Sequence, residues 1–248
     1  MKITLYSFIL VLLFSCASDK PTGKTEAEVL YKEAKELMDD ERYILATEKI
    51  NQLKNQYPYS YYATPAELML ADILFAQENY VESAAAYLLF RDFHPRHEKI
   101  PYVIFRIAES FYLQLPDTDD RDLEPAVEAI KYYREIITRY PNSAEVKSAK
   151  KKIKECQDRL HNKEQYVADF YFKTEAYKAA LWRYLDILKN IPNDKDLRSH
   201  SMSRVIQTTY QLKKYKDCLA YGNEFLNEIN KDDKKIAEKT LKYCKNKL

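Results

Sequence analysis

Small and large apolar residues recur along this chain at fixed offsets. Ala46, Ile50, Leu53 and Pro58 stand at offsets 0, 4, 7 and 12. Ser83, Tyr87, Phe90 and Pro95 repeat that spacing, as do Ala129, Tyr133, Ile136 and Pro141, and again Ala180, Tyr184, Ile187 and Pro192. The first three positions share one face of an α-helix. The proline then ends the helix, because it has no N–H and disfavours helical backbone in the residue before it. Upstream, Ala34, Ala71 and Ala168 each precede a tyrosine (Tyr43, Tyr80, Tyr177) by nine residues, and that tyrosine comes three residues before the small residue of the next helix. The pattern predicts pairs of helices joined by short turns.

The predicted pairs span residues 26–39 and 43–57, 62–77 and 80–93, 102–115 and 123–140, 144–172 and 176–190, and 197–212 and 215–230, with a capping helix over 231–248. The unit resembles the tetratricopeptide repeat, a helix-turn-helix of about 34 residues. The resemblance implies an all-α solenoid of about five helix pairs whose concave face is a binding surface. In the third copy Ala108 stands 21 residues before Ala129 rather than 12, so an inserted loop is expected around residues 115–122. The fifth copy is degenerate, with Tyr215 and Cys218 at the matching places.

In repeats of this kind the first helix of each pair faces the groove. Offsets from its small residue place Tyr31, Lys35 and Met38 there in the first repeat, Leu68, Asp72 and Phe75 in the second, and Phe105, Glu109 and Tyr112 in the third. Aromatic walls with isolated charges suit an extended peptide carrying aromatic side chains.

The N-terminus changes the compartment. Lys2 precedes an apolar run from Ile3 to Ser15, too short for the roughly 20 residues of a membrane span and matching a secretory signal. Leu13-Phe14-Ser15-Cys16 resembles the lipobox of bacterial lipoproteins, with residues 1–15 as signal peptide, Cys16 as the lipidated N-terminus and 16–25 as a flexible tether. Three further cysteines remain, Cys156, Cys218 and Cys244. Cys156 and Cys218 sit at helix-core spacing and read as small buried hydrophobes. One bridge in an oxidising compartment stays open.

Composition removes most enzymatic readings. The chain has two glycines, Gly23 and Gly222, against roughly 17 at average usage. Phosphate-binding loops, dinucleotide turns and nucleophile elbows cannot be written with them. Forty basic and 38 acidic side chains, net +2, argue against a nucleic-acid footprint. His97-Glu98-Lys99-Ile100-Pro101 lacks the second histidine of a zincin. Asp117, Asp119 and Glu128 fall at calcium-loop positions, but Arg121 and Asp122 occupy places that need a ligand and a glycine. No cofactor or metal is expected, and an enzyme is not.

Several ordered segments are similar to the BamD-like lipoproteins of outer-membrane β-barrel assembly. They are Gln56-Tyr57-Pro58-Tyr59-Ser60, His94-Pro95 with Tyr102-Val103, and Asp120-Arg121-Asp122 before Pro125. Arg139-Tyr140-Pro141-Asn142-Ser143, Asp158-Arg159-Leu160 and Tyr166-Val167-Ala168-Asp169-Phe170-Tyr171 follow. The likeness is good over residues 16–192 and weak beyond. It implies a lipid-anchored scaffold on the periplasmic face of the outer membrane. Its partners would be unfolded barrel proteins, the BamA periplasmic domains and other assembly subunits, with no nucleic acid. It also implies a substrate-binding half over residues 26–141 and a docking half over 142–248, with Arg159, Glu164 and Tyr166 in the docking region. A second reading is another periplasmic tetratricopeptide lipoprotein, coordinating envelope constriction or peptidoglycan synthesis. Repeats and export fit it equally, while the inserted loop and the Arg-Tyr-Pro-Asn-Ser segment count against it.

Overall fold

The computed structural model describes residues 23–248. The expected signal peptide, Cys16 and most of the expected tether lie outside the described residues. Eleven helices follow in the described part: α1 (Glu26–Asp39), α2 (Tyr43–Gln56), α3 (Ala63–Ala76), α4 (Tyr80–Phe93), α5 (Ile100–Leu113), α6 (Glu124–Arg139), α7 (Val146–Lys173), α8 (Tyr177–Asn190), α9 (Lys195–Gln211), α10 (Tyr215–Phe225) and α11 (Lys231–Lys245). The fold is all-α and of the tetratricopeptide helix-pair type.

The repeated offsets are the packing positions. Ala34 and Ala46, Ala71 and Ser83, Ala108 and Ala129, and Ala168 and Ala180 are all fully buried. Small residues there let paired helices approach. Ile50, Leu53, Tyr87, Phe90, Tyr133, Ile136, Tyr184 and Ile187 fill the space beside them, each at most 3% exposed. α2, α4, α6 and α8 each end two residues before their proline. Pro101, by contrast, opens α5 from within its first turn, where a missing N–H costs nothing. Side-chain caps come from Thr25, Asp194 and Asn230, which accept from the amides of Glu28, Leu197 and Asp233.

The chain forms two compact units, one up to Ala86 and one from Tyr87, and the division falls within α4. It lies earlier than the expected division at residue 141, which followed the roles of the repeats rather than compactness. In the first unit α1, α2 and α3 close on Leu30, Ile50, Leu53, Met69 and Ile73. In the second, successive helices pack from α5 to α11, and α9 to α11 share a core with the end of α7 and with α8.

Two features of the turns and the last repeat were not readable. Glu41, Glu78, Glu175 and Lys213 adopt positive φ near 60° at the turns within four pairs. In three of these the second amide beyond the helix reaches back five residues, from Arg42 to Leu37, Asn79 to Leu74 and Lys214 to Thr209. This is the Schellman closure, which favours glycine at the positive-φ residue. The chain therefore uses side-chain-bearing residues where glycine is cheaper.

Cys218 is not merely an apolar filler. It is disulfide-bonded to Cys244, joining α10 to α11, while Cys156 is a buried free thiol. Gly222 belongs to the same joint. It lies inside α10, and a Cβ there would stand 2.3 Å from Leu241 Cδ2. Its lack of a side chain sets how closely α11 approaches.

Candidate binding surfaces

In the first unit α1 and the start of α3 gather an aromatic surface. Tyr31 lies 5.4 Å, ring to ring, from Tyr62, which stands 5.4 Å from Tyr61 in an edge-on arrangement. Tyr61 is 86% exposed. Burial, then the nearby Asp72 carboxylate, raise the Tyr31 phenol above its usual range. Tyr31 and Asp72 are half-buried neighbours, and Lys35 is exposed beside them on the same helix as Tyr31. Tyr61 and Tyr62 were missed, although the run Tyr57-Pro58-Tyr59-Ser60-Tyr61-Tyr62 directly precedes α3 and was a signal for them.

Other expected groove residues serve the fold. Leu68 is 3% exposed and belongs to the core, so it cannot line a groove. Phe75 is half-buried and meets Tyr80 edge-on at 5.4 Å, across the turn of its own pair. Phe172 with Tyr177 and Tyr210 with Tyr215 repeat that corner at 5.7 and 6.0 Å. The position four residues after the small one is a corner post in these repeats. Met38, the first-repeat equivalent, packs against the core of its unit.

In the second unit Glu109 is committed to an internal bond. It accepts a hydrogen bond from the Tyr133 hydroxyl, and a buried phenol needs such an acceptor. Burial, then that bond, push the Tyr133 phenol far up. Phe105 packs its ring 5.8 Å from Tyr133. Tyr112 donates to Glu155 at 2.9 Å, and Lys152 Nζ sits 3.5 Å from its ring centre. Its phenol is raised to about 12, by burial first and by Glu155 next. These three residues tie α5 to α6 and α7.

The docking residues divide in the same way. Arg159 does not offer a free guanidinium. Its Nε holds Asp119 at 2.7 Å and its Nη2 holds the Pro116 carbonyl, both in the inserted loop. Asn162 donates to Asp119 at 3.2 Å and Lys163 to the Arg121 carbonyl at 2.8 Å. One turn of α7 thus clasps the loop that interrupts the third repeat. Glu164 stands 3.6 Å from Arg183 of α8.

Of the three residues expected to dock a partner Tyr166 remains open, 53% exposed, with Phe170 one turn on at 52%. The two rings edge a cleft of about 400 Å³ lined also by Asn162, Gln165, Asp169 and Lys173. Behind it Asp169 accepts from Tyr184 at 2.6 Å, is bonded to His200 Nε2 at 2.9 Å and lies 3.5 Å from Arg204. Burial would raise the Asp169 carboxyl, but those bonds and charges outweigh it and hold it at about 2.

His94 and His97 both pack on Phe90, at 4.8 and 5.2 Å. Among the described residues no group of three or more His, Cys, Asp or Glu side chains could hold a metal ion. No helix there is long and apolar enough to cross a membrane.

Stacked helix pairs with open aromatic faces define a repeat protein of the tetratricopeptide class. Within that class the chain belongs to the YfiO family of outer membrane lipoproteins, which matches residues 24–221. It is 28% identical over 199 residues to the outer membrane protein assembly factor BamD of Vibrio cholerae, covering 76% of this chain and 83% of that protein. The BamD of Rickettsia prowazekii is 30% identical over 196 residues, with 77% and 78% covered, and that of Neisseria gonorrhoeae 28% over 212 residues, with 79% of each covered. Among solved structures, the TPR2AB-domain:pHSP90 complex of yeast Sti1 matches at TM-score 0.45 and 14% identity over 90% of this chain and 84% of that one. The P58(IPK) TPR domain matches at 0.44 and 12%, over 90% and 58%.

Proposed function

We propose that this protein is a non-enzymatic scaffold, without cofactor, for the assembly of β-barrel proteins into the outer membrane. The observation that carries the reading is family membership over residues 24–221, with relatives named as outer membrane protein assembly factors. In this reading a lipid on Cys16 holds the chain at the periplasmic face of the outer membrane. The first unit receives aromatic segments of unfolded barrel proteins on Tyr31, Tyr61 and Tyr62, with Lys35 and Asp72 fixing register. Rings supply contact area there and charges supply orientation. In the second unit the open rings of Tyr166 and Phe170 dock a BamA-type assembly protein.

Depletion in cells tests the role. Outer-membrane barrel proteins should fall while the periplasmic pool of unfolded barrel chains rises. Constriction defects with normal barrel levels would refute the reading and favour a role in envelope constriction.

A further inference from the structure

The net charge of +2 conceals a division along the chain. Residues 24–141 carry 14 basic and 22 acidic side chains, and residues 142–248 carry 24 and 15. The basic excess is concentrated in two places, Lys147, Lys150, Lys151, Lys152 and Lys154 at the start of α7 and the end of the chain. Residues 205–248 contain ten lysines and no arginine, and six of those lysines lie in α11.

Helical geometry sorts them. At about 100° per residue, Lys231, Lys235, Lys239 and Lys242 fall within one quarter of the helix surface, opposite the buried Ala237, Thr240 and Cys244. All four lysines are exposed. One ion pair touches this stripe, Lys235 to Asp232 at 3.8 Å, with both partners largely in solvent, so it neutralises little. Ile236 and Tyr243, seven residues apart, form one edge of the stripe at 50% and 45% exposure. The helix is held rigidly by the Cys218–Cys244 bridge and by its close approach to Gly222.

We propose that the outward face of α11 docks on an anionic lipid headgroup layer. The occupant follows from the chemistry of the face. Protein interfaces are enriched in arginine and depleted in lysine, because a planar guanidinium pairs carboxylates bidentately. The exposed Asp232 and Glu238 flank the stripe, but its cations are all lysine, which suits a diffuse negative surface, with long stems lying along apolar surface and heads in the headgroup region. An isoleucine and a tyrosine on the edge add an apolar body and a polar tip at that depth. From Lys231 to Lys242 the stripe runs about 16 Å at 1.5 Å per residue and so presents a line of charge. The inference rests on the membrane location proposed above and adds to it a contact independent of the lipid anchor.

The test uses the exported chain carrying Cys16→Ser, which removes the anchor and leaves residues 23–248 intact. It is sedimented with phosphatidylcholine vesicles, with and without about one-third phosphatidylglycerol. Binding is expected to the anionic vesicles alone and to weaken as salt rises. Lys235→Gln, Lys239→Gln and Lys242→Gln together should lower partitioning on the order of 100-fold, with the circular dichroism and the disulfide unchanged. Lys147→Gln, Lys150→Gln and Lys151→Gln on α7, an equal charge change, should leave it within a few-fold. Equal loss in both triple variants, or no binding to anionic vesicles, would overturn the proposal. So would displacement by soluble polyglutamate at equal charge concentration, which would assign the face to an acidic protein. In cells the anchor is tested separately by a high-salt wash, which should release Cys16→Ala but not the unchanged protein; salt-resistant attachment of Cys16→Ala would refute the anchor and leave the α11 result standing.

Discussion

Asp169 shows how one residue joins fold and surface. Its folded carboxyl titrates at about 2, below an unfolded aspartate near 3.9. A depressed folded pKa gives stability that is present above about pH 4 and lost as pH falls from about 4 to about 2. Asp169→Asn should cost about 2 kcal/mol at neutral pH and flatten that acid branch in urea unfolding. An unchanged acid branch would contradict the network with His200 and Tyr184. The positive-φ residues carry the opposite expectation. Glu78→Gly removes a left-handed strain of about 1–2 kcal/mol against a smaller entropy cost, so it should raise the urea midpoint. The same change at Glu82, in the first turn of α4, should lower the midpoint, by about 1 kcal/mol of unfolding free energy. Residue roles were only partly legible. Offsets told which residues share a helix face, but not which of those a neighbour already uses. Glu109 and Tyr112 read as open groove residues because Tyr133 and Glu155, their partners, lie 24 and 43 residues away. Phe75 could have been read correctly. It stands five residues before Tyr80, and Phe172 and Tyr210 stand five before Tyr177 and Tyr215.

Helices were more legible than side-chain roles, because each pair repeats a local pattern. Periodicity set the faces and prolines set the ends, so α1 and α4 match their expected spans and the other ends differ by a few residues. What stayed hidden depends on contacts between elements. The clasp of α7 on the inserted loop is one case. Arg159→Ala removes the bonds to Asp119 and to the Pro116 carbonyl, so amide exchange over residues 114–122 should accelerate while the α6 core stays protected. No change there would mean that the loop holds itself. The covalent joint of α10 and α11 is another. An odd cysteine count left it open, and pairing became evident only with the two helices side by side. Closing a loop of 26 residues is worth about 3 kcal/mol on a chain-entropy account. Cys218→Ser with Cys244→Ser should destabilise the second unit by that order in guanidinium unfolding and leave the first unit unchanged.

At the scale of the molecule, near-neutral charge reads as balance along the chain, and the balance is false. An acidic region over residues 24–141 is followed by a basic one over 142–248. Association of the two regions with partners should therefore respond differently to salt and to partner charge. The family assignment rests on 198 matched residues, from 24 to 221, which include both units in part. It supplies the coarse role, with relatives named as outer membrane protein assembly factors, to which the proposed roles of the two surfaces add. The central claim is that the chain works as a scaffold of barrel assembly. It is tested most directly by isolating the protein from detergent-solubilised outer membrane under mild conditions. Co-isolation of a large barrel protein with repeated periplasmic domains, lost on replacing Tyr166 and Phe170 together by alanine, is the predicted result. Recovery of the protein without any such barrel partner would contradict the account.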